Sequence, residues 1–515
     1  MDYDSIPYES VPITETHPQR LAMLGRLFGL DTARPEHCRV LELGCASGGN
    51  LLPMASRSPG SEFVGLDLSA LQIHNGQESI ARLGLKNIHL LQGDLCEFED
   101  RPGSFDYIIA HGLYSWVPLA VRDALLGKIK QLLAPQGIAY ISYNTQPGWG
   151  SRGILRSMAL YHVRDIEEPV ARLQALMELF EFLRGYYQTS KNPLQQQLYL
   201  ELKDLESAHP SYLYHDFLEA NNDAVLFSDF AEHIATHQLK YLCESELHTM
   251  FASTLPPAGE RFLDAYDDML VQEQYIDYLR LRTFRMSLLV HEESSVNYDV
   301  SLSLLDDYAL YSSLQAPSKL HLDTTRPVSF TRPDGKPVEV AQPLTKLSLQ
   351  ILYDETPGAM SLQQLYQQAQ SQLPVVKSSG VETDPDAYRS ELFNLFVNGC
   401  IRFVLSPRPR TALDSETPCL TELAAAELAA GDVLSGVWHE PVQLDGFARL
   451  LAAQMDGRKN LPGIRTAILD TLRSDPELAA NLNIDTRVAE KRLVATLDSN
   501  IKRLLGVFQR QELLR

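Results

Sequence analysis

The chain has 515 residues, 44% of them hydrophobic and 8% aromatic, so it holds enough apolar surface for several cores and is predicted to form two to four domains. Its formal net charge of −21 argues against a large surface that follows nucleic-acid phosphates, because such a surface needs an excess of Lys and Arg. We therefore expect no nucleic acid among the partners of this protein.

The sequence shows no pattern of export or membrane insertion. The first residues, MDYDSIPYESVP, lack a basic stretch followed by an apolar one, so we expect no signal peptide. A run of about 18 apolar residues is missing, so we expect no membrane span. The six cysteines have no CxxC or CxxH spacing, which predicts reduced thiols in a cytosolic (cytoplasmic) protein, with no metal site and no disulfide framework.

Residues 39–144 alternate between short apolar runs and amphipathic stretches. The runs RVLELG, EFVGLD, NIHLLQ, FDYIIA and GIAYIS are typical of buried strands in a parallel sheet. Strands that alternate with helices predict a doubly wound α/β fold, and we assign residues 1–148 to this core.

The first predicted strand runs into a glycine-rich turn that opens a helix, VLELGCASGGN, over residues 40–50. Gly44 can adopt the positive φ of a tight turn, and the small residues after it let a ligand approach the backbone. The helix N-terminus then offers free N–H groups to a carboxylate. Ordinary strand–helix turns share this pattern, and a nicotinamide frame, G-x-A-x-x-G from Gly44 to Gly49, also fits it loosely.

Two carboxylates at the ends of the next strands narrow the choice of ligand. Asp67 ends the second strand about 20 residues beyond the turn, where it can accept both ribose hydroxyls of an adenosine. Asp94 follows the third strand, where it can read the adenine edge. A helix N-cap for Asp67 and a turn role for Asp94 are the alternatives. The turn and both carboxylates at these intervals predict a cofactor that contains adenosine.

These motifs resemble those of class I S-adenosylmethionine-dependent methyltransferases, whose first motif pairs an acidic residue with a glycine-rich turn. Glu42 favours this family over dehydrogenases, which usually carry an apolar residue two positions before the first glycine. Ala46 replaces the second glycine of the family pattern. The resemblance implies S-adenosyl-L-methionine as cofactor, held by Glu42, Gly44, Cys45, Ala46, Gly48, Asn50, Asp67, Leu68, Asp94, Leu95 and His111.

A closer resemblance extends beyond the core. The segments DSIPYESVPITETHPQRLAMLGRLFGL, HGLYSWVP and SYNTQPGW are similar to a bacterial subgroup with a methyltransferase regulatory domain, and SYLYHDFLEANNDAVLFSDFAEHIATHQLKYLCESEL resembles that domain itself. The subgroup includes protein-lysine methyltransferases that modify bacterial outer-membrane proteins. The resemblance therefore implies a protein substrate, with a lysine amine favoured, and a homodimer formed through a helical insertion. A small-molecule acceptor, or a cofactor-binding but catalytically silent regulatory protein, is the alternative.

Methyl transfer calls mainly for proximity and alignment, so no nucleophilic residue or metal is required. A lysine must react as the neutral amine, and an apolar channel lowers its pKa, while aromatic walls attract its cationic form. Aromatic side chains cluster after predicted strands four and five, at the edge where ligands bind in open α/β sheets. The candidate catalytic residues are Tyr8, His111, Tyr114, Trp116 and Trp149. Packing of Tyr114 and Trp116, and a purely structural His111, are the alternatives.

The methyltransferase sheet is expected to have seven strands that are discontinuous in sequence. Residues 149–234 predict a helical insertion, a candidate dimerisation or regulatory region. LKYLCES and FRMSLLVHEE then predict strands six and seven within residues 235–295. A sheet of five strands would leave a long apolar edge unpaired, which is an aggregation hazard. Residues 296–340 are expected to form a connecting segment.

The C-terminal region is predicted to be mainly α-helical. Residues 341–410 resemble a winged-helix unit, in which six basic residues are opposed by six acidic ones. That balance does not suit a phosphate-binding face and favours a contact with protein. Thr411 and Ala412 open a short polar linker, and residues 411–515 predict amphipathic helices without a recognisable catalytic motif.

Overall fold

The structure is a computed structural model that describes residues 6–333, 335–373, 384–410, 416–486 and 488–515. The chain divides into two compact units: residues 1–10, 20–80 and 86–298 form the first, and residues 11–19, 81–85 and 299–515 the second. Some residues used in the sequence analysis lie outside the described ranges, namely residues 1–5, Thr411 and Ala412. So do Lys377 and Glu382, which belong to the six basic and six acidic residues counted in residues 341–410.

The first unit is built on a seven-stranded sheet. Its strands are β1 (Arg39–Leu43), β2 (Glu62–Asp67), β3 (Ile88–Gln92), β4 (Phe105–Ala110), β5 (Leu133–Asn144), β6 (Leu239–Glu244) and β7 (Phe284–His291). Their order in the sheet is β3-β2-β1-β4-β5-β7-β6. Strands β1 to β5 pair in parallel, while β7 runs antiparallel to both β5 and β6. The predicted seven-stranded methyltransferase-type sheet, with strands six and seven supplied from beyond residue 235, is confirmed.

Helices cover the sheet because its central strands are apolar on both faces. The first four are α1 (Pro18–Leu27), α2 (Leu51–Arg57), α3 (Ala70–Leu83) and α4 (Leu119–Leu132). Leu125, Leu126 and Ile129 of α4 are fully buried in one core with the side chains of β4 and β5. This packing holds α4 against the parallel strands. The glycine turn lies at the carboxyl end of β1 and leads into α2.

Five helices separate β5 from β6: α5 (Gly150–His162), α6 (Pro169–Tyr187), α7 (Pro193–Asp204), α8 (Pro210–Leu218) and α9 (Phe227–Thr236). The first four share a core of their own that reaches from Leu155 to Leu218. Helix α9 instead buries Phe227, Phe230 and Ile234 against the sheet. The helical insertion is confirmed, but its own core ends at Leu218, earlier than the predicted boundary at residue 234. Helices α10 (Pro257–Leu263) and α11 (Met269–Arg280) lie between β6 and β7.

The second unit combines short strands with helices. Its elements are β8 (Ala309–Tyr311), β9 (Val328–Thr331), β10 (Pro337–Val340), α12 (Pro343–Glu355), β11 (Met360–Ser361), α13 (Leu362–Gln372), α14 (Pro385–Val397), β12 (Arg402–Val404), α15 (Glu422–Ala430), β13 (Val433–Ser435), β14 (Pro441–Gln443), α16 (Gly446–Ala452), α17 (Leu461–Ser474), α18 (Pro476–Asn481) and α19 (Glu490–Arg510). Strands β11 and β12 both pair with β8, which lies in the predicted connecting segment. A separate apolar core joins α15 to α19.

Short 3-10 helices complete the secondary structure, at Thr14–Thr16, Tyr114–Trp116, Leu205–Ser207, Leu247–Thr249, Ala252–Thr254 and Leu302–Asp307. None of the helices in the described ranges is long and apolar enough to cross a membrane.

Candidate active site

The glycine-rich turn between β1 and α2 has the backbone geometry that its sequence predicts. Gly44 and Gly48 have φ values of +79° and +77°, and Ala46 also lies in the left-handed region at +47°. The Ala46 N–H donates a hydrogen bond of 2.8 Å to Asp67 Oδ2 at the end of β2. This bond offsets the strain of a left-handed alanine and ties the turn to the neighbouring strand.

Asp67 also contacts the start of the following helix. Its Oδ1 accepts a hydrogen bond of 2.9 Å from the Ser69 N–H, whereas the N-cap of α3 is Ser69 itself, whose Oγ accepts a hydrogen bond of 3.1 Å from the Gln72 N–H. Each carboxylate oxygen still has a second lone pair, which leaves Asp67 able to accept further donors from a ligand. The adjacent Leu68 is 59% exposed and lies at the surface. Asp67 therefore holds the turn and can also bind a ligand.

Glu42 lies buried beneath the turn, on β1. Asn50 Nδ2 donates to Glu42 Oε1 at 2.8 Å, while Glu42 Oε2 has no hydrogen-bond partner among the described residues. Burial raises the pKa of Glu42 to about 8, against the lowering effect of the Asn50 hydrogen bond and with a smaller raising effect of the Asp67 charge. A buried acceptor without a partner is costly in free energy, so this oxygen fits a donor supplied by a ligand.

Two predicted cofactor contacts are placed differently from the others. The Cys45 side chain packs against β2, because a Cβ added to Gly65 would lie 2.7 Å from Cys45 Sγ. Asp94 is exposed and accepts a hydrogen bond of 2.9 Å from the Cys96 N–H, which is the turn role given as its alternative. Leu95 is partly buried against the core of the sheet. Asp94 still lies beside the Asp67 edge, since β2 and β3 are paired neighbours.

The N-terminal segment that contains Tyr8 lies next to the glycine turn. The Gly49 N–H donates to Ser10 Oγ at 2.7 Å, and Gln72 Nε2 of α3 donates to the Tyr8 carbonyl at 3.0 Å. A Cβ on Gly49 would come within 2.1 Å of the Ser10 carbonyl oxygen, so only glycine permits this approach. Tyr8 itself is 42% exposed, and its ring stacks on His215 of α8 with centroids 4.7 Å apart. The segment thus connects the glycine turn to the helical insertion.

A buried carboxyl group that the sequence analysis did not identify lies next to His215. Asp216 is only 2% exposed, and its Oδ1 has no hydrogen-bond partner within the described part of the chain. Burial raises the pKa of Asp216 to about 6, although a hydrogen bond from Tyr212 and the charge of Arg152 lower it. In the sequence, Asp216 looks like one polar position of an amphipathic helix, so only the structure reveals its burial.

Hydrogen bonds join Asp216 to the carboxyl end of the sheet. Asn222 Nδ2 donates to the Asp216 carbonyl at 2.8 Å, and Asn144 Nδ2 donates to Asn222 Oδ1 at 2.7 Å. Asn144 is the last residue of β5. These contacts hold the end of α8 at the edge where the sequence analysis expected the acceptor to bind.

The predicted aromatic residues fall into two groups. Trp149 is 4% exposed with the Arg152 guanidinium 5.4 Å from its ring centroid, and the indole Nε1 of Trp116 is buried without a hydrogen-bond partner among the described residues. His111 Nδ1 lies 2.9 Å from the Tyr140 hydroxyl, and burial lowers the pKa of His111 to about 4, so its ring is neutral at pH 7. These residues follow β4 and β5 and remain candidates to contact an acceptor.

Tyr114 belongs to the second group, because it packs inside the core. It is 3% exposed, its ring meets Phe230 edge-on at 5.2 Å, and its hydroxyl lies 2.8 Å from His233 Nδ1. Burial raises the pKa of Tyr114 to about 12. Tyr114 thus makes the contacts expected of its packing alternative.

Three family models match the chain. A methyltransferase domain matches residues 41–139, a domain described as a predicted methyltransferase regulatory domain matches residues 209–291, and the PKMT C-terminal winged helix domain matches residues 416–513. The sequence predicts residues 416–513 only as helical.

The winged-helix unit that was predicted from sequence lies at residues 341–410. There the elements from α12 to β12 follow the order helix, strand, helix, helix, strand.

Relatives and solved structures extend these matches over the whole chain. The uncharacterized protein RP789 of Rickettsia prowazekii is 31% identical over 474 residues, which cover 91% of this chain and 85% of the relative. The uncharacterized protein RP028 of the same organism is 35% identical over 47% of this chain and 97% of its own length. The structure of PKMT2 from Rickettsia typhi in complex with AdoHcy is 25% identical, with a TM-score of 0.84 and coverage of 99% of this chain and 100% of that one.

Proposed function

Because the chain belongs to the S-adenosylmethionine-dependent methyltransferases that carry a methyltransferase regulatory domain and a PKMT winged helix domain, we propose that it methylates a lysine side chain of a protein. The observation that carries this acceptor is the buried carboxyl group of Asp216, whose free Oδ1 suits a cationic amine. The PKMT2 structure from Rickettsia typhi, which aligns over the full length, supports the same substrate class.

The residues of the glycine turn fit S-adenosylmethionine, which when bound supplies an electrophilic methyl group on its sulfonium sulfur. The unpaired Glu42 Oε2 suits the cationic amino group of the methionine portion. Asp67 has lone pairs left for the ribose hydroxyls after bonding Ala46 and Ser69. Glu42 thus offers an acceptor to the amino group of the cofactor, and Asp67 offers acceptors to its ribose hydroxyls.

Asp216 fits a lysine acceptor through charge and through proton transfer. A lysine side chain in water has a pKa of about 10.4 and must lose its proton before its Nζ lone pair can react. Entry into a buried site lowers that pKa by up to about 3–5 units, which brings it near the pKa of about 6 of Asp216. In this proposal the Asp216 carboxylate attracts the ammonium group and takes up its proton, so it acts as a general base.

The aromatic residues supply the walls of the proposed acceptor site. In this proposal Tyr8, Trp116 and Trp149 line the acceptor site with aromatic rings, although one face of Tyr8 lies on His215 and Arg152 lies over the ring of Trp149. The neutral His111 adds no repelling charge.

We expect Asp67→Ala to weaken S-adenosylmethionine binding at least about tenfold. The substitution removes a charge-assisted contact to the ribose and the hydrogen bond that Asp67 accepts from the Ala46 N–H. Isothermal titration of the full-length protein measures this affinity. Asp268→Ala is the matched control, since Asp268 caps α11 through the N–H groups of Leu270 and Val271. Equal affinity in wild type and Asp67→Ala would show that Asp67 serves only to hold the backbone N–H groups of Ala46 and Ser69.

We expect S-adenosylmethionine binding to release close to one proton at pH 6.5–7. Because the pKa of Glu42 is about 8, Glu42 is mostly protonated in the free protein at pH 6.5–7. The cationic amino group of the bound cofactor favours the ionised carboxylate over the protonated form, so Glu42 loses its proton on binding. Affinity should therefore rise as the pH rises toward 8. The measurement is the dependence of the binding enthalpy on the ionisation enthalpy of the buffer. Glu42→Gln should abolish the proton release and Glu62→Gln should keep it, whereas a buffer-independent enthalpy in wild type contradicts the assignment.

The experiment that tests the acceptor class is methyl transfer from radiolabelled S-adenosylmethionine to a bacterial lysate, separated into protein and small-molecule fractions. A protein-lysine methyltransferase labels the protein fraction. Label confined to small molecules would support the other acceptor class, and label in neither fraction would support the catalytically silent alternative.

We also propose that the protein acts as a homodimer in the cytosol. The helical insertion exposes seven large apolar side chains: Tyr161, Val170, Met177, Phe182, Tyr186, Leu194 and Leu200. Such a surface is typical of an interface between proteins. The six cysteines are unpaired, which suits a reducing compartment. Analytical ultracentrifugation at micromolar concentration tests the dimer, and a monomeric mass would overturn it.

A further inference from the structure

Two helices of the first unit bring three potential metal ligands together on one side of the sheet. Asp123 lies on α4, while His233 lies on α9 and His237 directly follows it. Asp123 Oδ1 is 3.2 Å from His233 Nε2 and 3.0 Å from His237 Nε2, and the three ligand atoms all lie within 4.8 Å of one another. Over the described ranges, no other three His, Cys, Asp or Glu side chains meet in this way.

We propose that Asp123, His233 and His237 form a binding site for a divalent transition-metal ion, with Zn²⁺ the best match. The spacing of four residues puts both histidines on one face of the helix. Zn²⁺ binds imidazole nitrogen and carboxylate oxygen at ~2.0–2.2 Å, so its tetrahedral ligands lie ~3.3 Å apart. The observed separations from the Asp123 oxygen are close to that value, so a metal ion can be bound with only small side-chain movements.

A second layer of contacts orients one of the ligands. His233 Nδ1 lies 2.8 Å from the Tyr114 hydroxyl, which leaves Nε2 as the nitrogen that faces Asp123. Metal-binding histidines usually donate their other N–H to an oxygen acceptor. A tyrosine hydroxyl can donate or accept, so Tyr114 suits His233 in both the free and the metal-bound tautomer.

Exposure and charge also suit a metal ion. The side chains of His233 and His237 are 16% and 20% exposed, whereas that of Asp123 is 63% exposed, so water can reach the site and supply a fourth ligand. The nearby cation Lys130 is already paired with Glu293 at 3.0 Å. A metal ion bound by the two imidazoles and the carboxylate would therefore not be repelled by Lys130, because the charge of Lys130 is balanced by Glu293.

Binding of a metal ion would stabilise the packing of the two helices, and this proposal does not depend on the proposed lysine acceptor. The ion would join α4 to α9, and through Tyr114 it would also fix the segment that follows β4. The absence of CxxC or CxxH spacing predicted no metal site. The signal that was not used is the pair His233 and His237, four residues apart at the end of an amphipathic helix.

The test is isothermal titration of the metal-free, full-length protein with ZnCl₂, together with its melting temperature with and without Zn²⁺. We expect wild type to bind one Zn²⁺ at a site that His237→Gln and Asp123→Asn each weaken at least tenfold. Zn²⁺ should raise the melting temperature of wild type but not of His237→Gln. His74→Gln is the matched control, because His74 is a helical histidine paired with a single carboxylate, Glu78, at 3.4 Å.

Unchanged Zn²⁺ affinity in His237→Gln and Asp123→Asn would overturn the site, as would a wild type that binds no Zn²⁺ at 100-fold excess. Asp123 is exposed and His237 is partly buried, and the melting temperature measured without metal shows whether each variant is folded. A variant that melts like wild type without Zn²⁺ yet loses the Zn²⁺-dependent increase supports the proposal.

Discussion

Asp216→Asn is expected to lower methyl transfer to a lysine acceptor at least about 100-fold, while affinity for S-adenosylmethionine stays within a few-fold. The amide has nearly the same shape as the carboxyl group, and the hydrogen bond from Asn222 is kept because its acceptor is the main-chain oxygen of residue 216. What is lost is the negative charge that attracts the ammonium group and the base that takes its proton. Positioned general bases typically contribute about 10²–10⁴-fold to a rate.

The comparison is single-turnover methyl transfer to protein, with cofactor affinity measured on the same sample as the check on folding. Asp204→Asn is the matched control, because Asp204 is an exposed carboxylate at the end of α7 in the same helical insertion. It should transfer methyl groups at the wild-type rate. An Asp216→Asn variant that binds cofactor normally and keeps its full rate would exclude Asp216 from the acceptor site.

Arg285→Ala is expected to lower the free energy of unfolding by about 3–5 kcal/mol, because it leaves buried carboxylates without their cation. The Arg285 side chain is fully buried on β7, with Glu244 at 2.7 Å, Glu273 at 2.9 Å and Asp277 at 2.8 Å. These carboxylates come from β6 and α11, so the cluster joins β6 and α11 to β7. Arg282, 3.0 Å from Asp277, can offset only part of the loss.

Chemical denaturation followed by circular dichroism measures this loss. Burial raises the pKa of Glu273 to about 7 even beside Arg285, so the folded state holds a proton there that the unfolded chain gives up near pH 4.5. The wild-type protein should therefore lose stability as the pH rises from about 5 through 7. In the variant the pKa of Glu273 is no longer lowered by Arg285, so the loss should extend above pH 7.

Arg39→Ala provides the control, because Arg39 pairs with Glu62 and Asp100 but is 24% exposed and should cost at most about 1 kcal/mol. If both variants lost equally little stability, the buried cluster would not be what holds β6 and β7.

The sequence predicts the sheet well because its strands are continuous apolar runs. The interrupted strands six and seven could be placed because LKYLCES and FRMSLLVHEE keep that apolar character far from the first five. The cofactor turn could be identified for a different reason. A turn that binds this cofactor requires small residues, and it requires a carboxylate at the end of the next strand. The hydrogen bond from the Ala46 N–H to Asp67 shows that this carboxylate lies directly beside the turn.

Other features escape sequence analysis because burial of a polar residue leaves no local pattern. Arg285 follows Phe284 at the start of a strand, where a charged residue normally faces water, and Asp216 occupies a polar position of an amphipathic helix. The match to the winged helix at residues 416–513 was missed because β13 and β14 are only three residues each. The packing of Tyr114 against Phe230 could not be predicted, because proximity to the end of β4 does not tell which way a side chain points.

The central claim, methyl transfer to a lysine side chain, is tested most directly by identifying the residue that carries the methyl group. Protein labelled from radioactive S-adenosylmethionine by the full-length enzyme is hydrolysed to amino acids, which are separated by chromatography. The account predicts that the label runs with Nε-methylated lysine. It also predicts that acetylating the lysines of the acceptor proteins beforehand abolishes labelling. Label on any other amino acid, or labelling that survives acetylation, would contradict it.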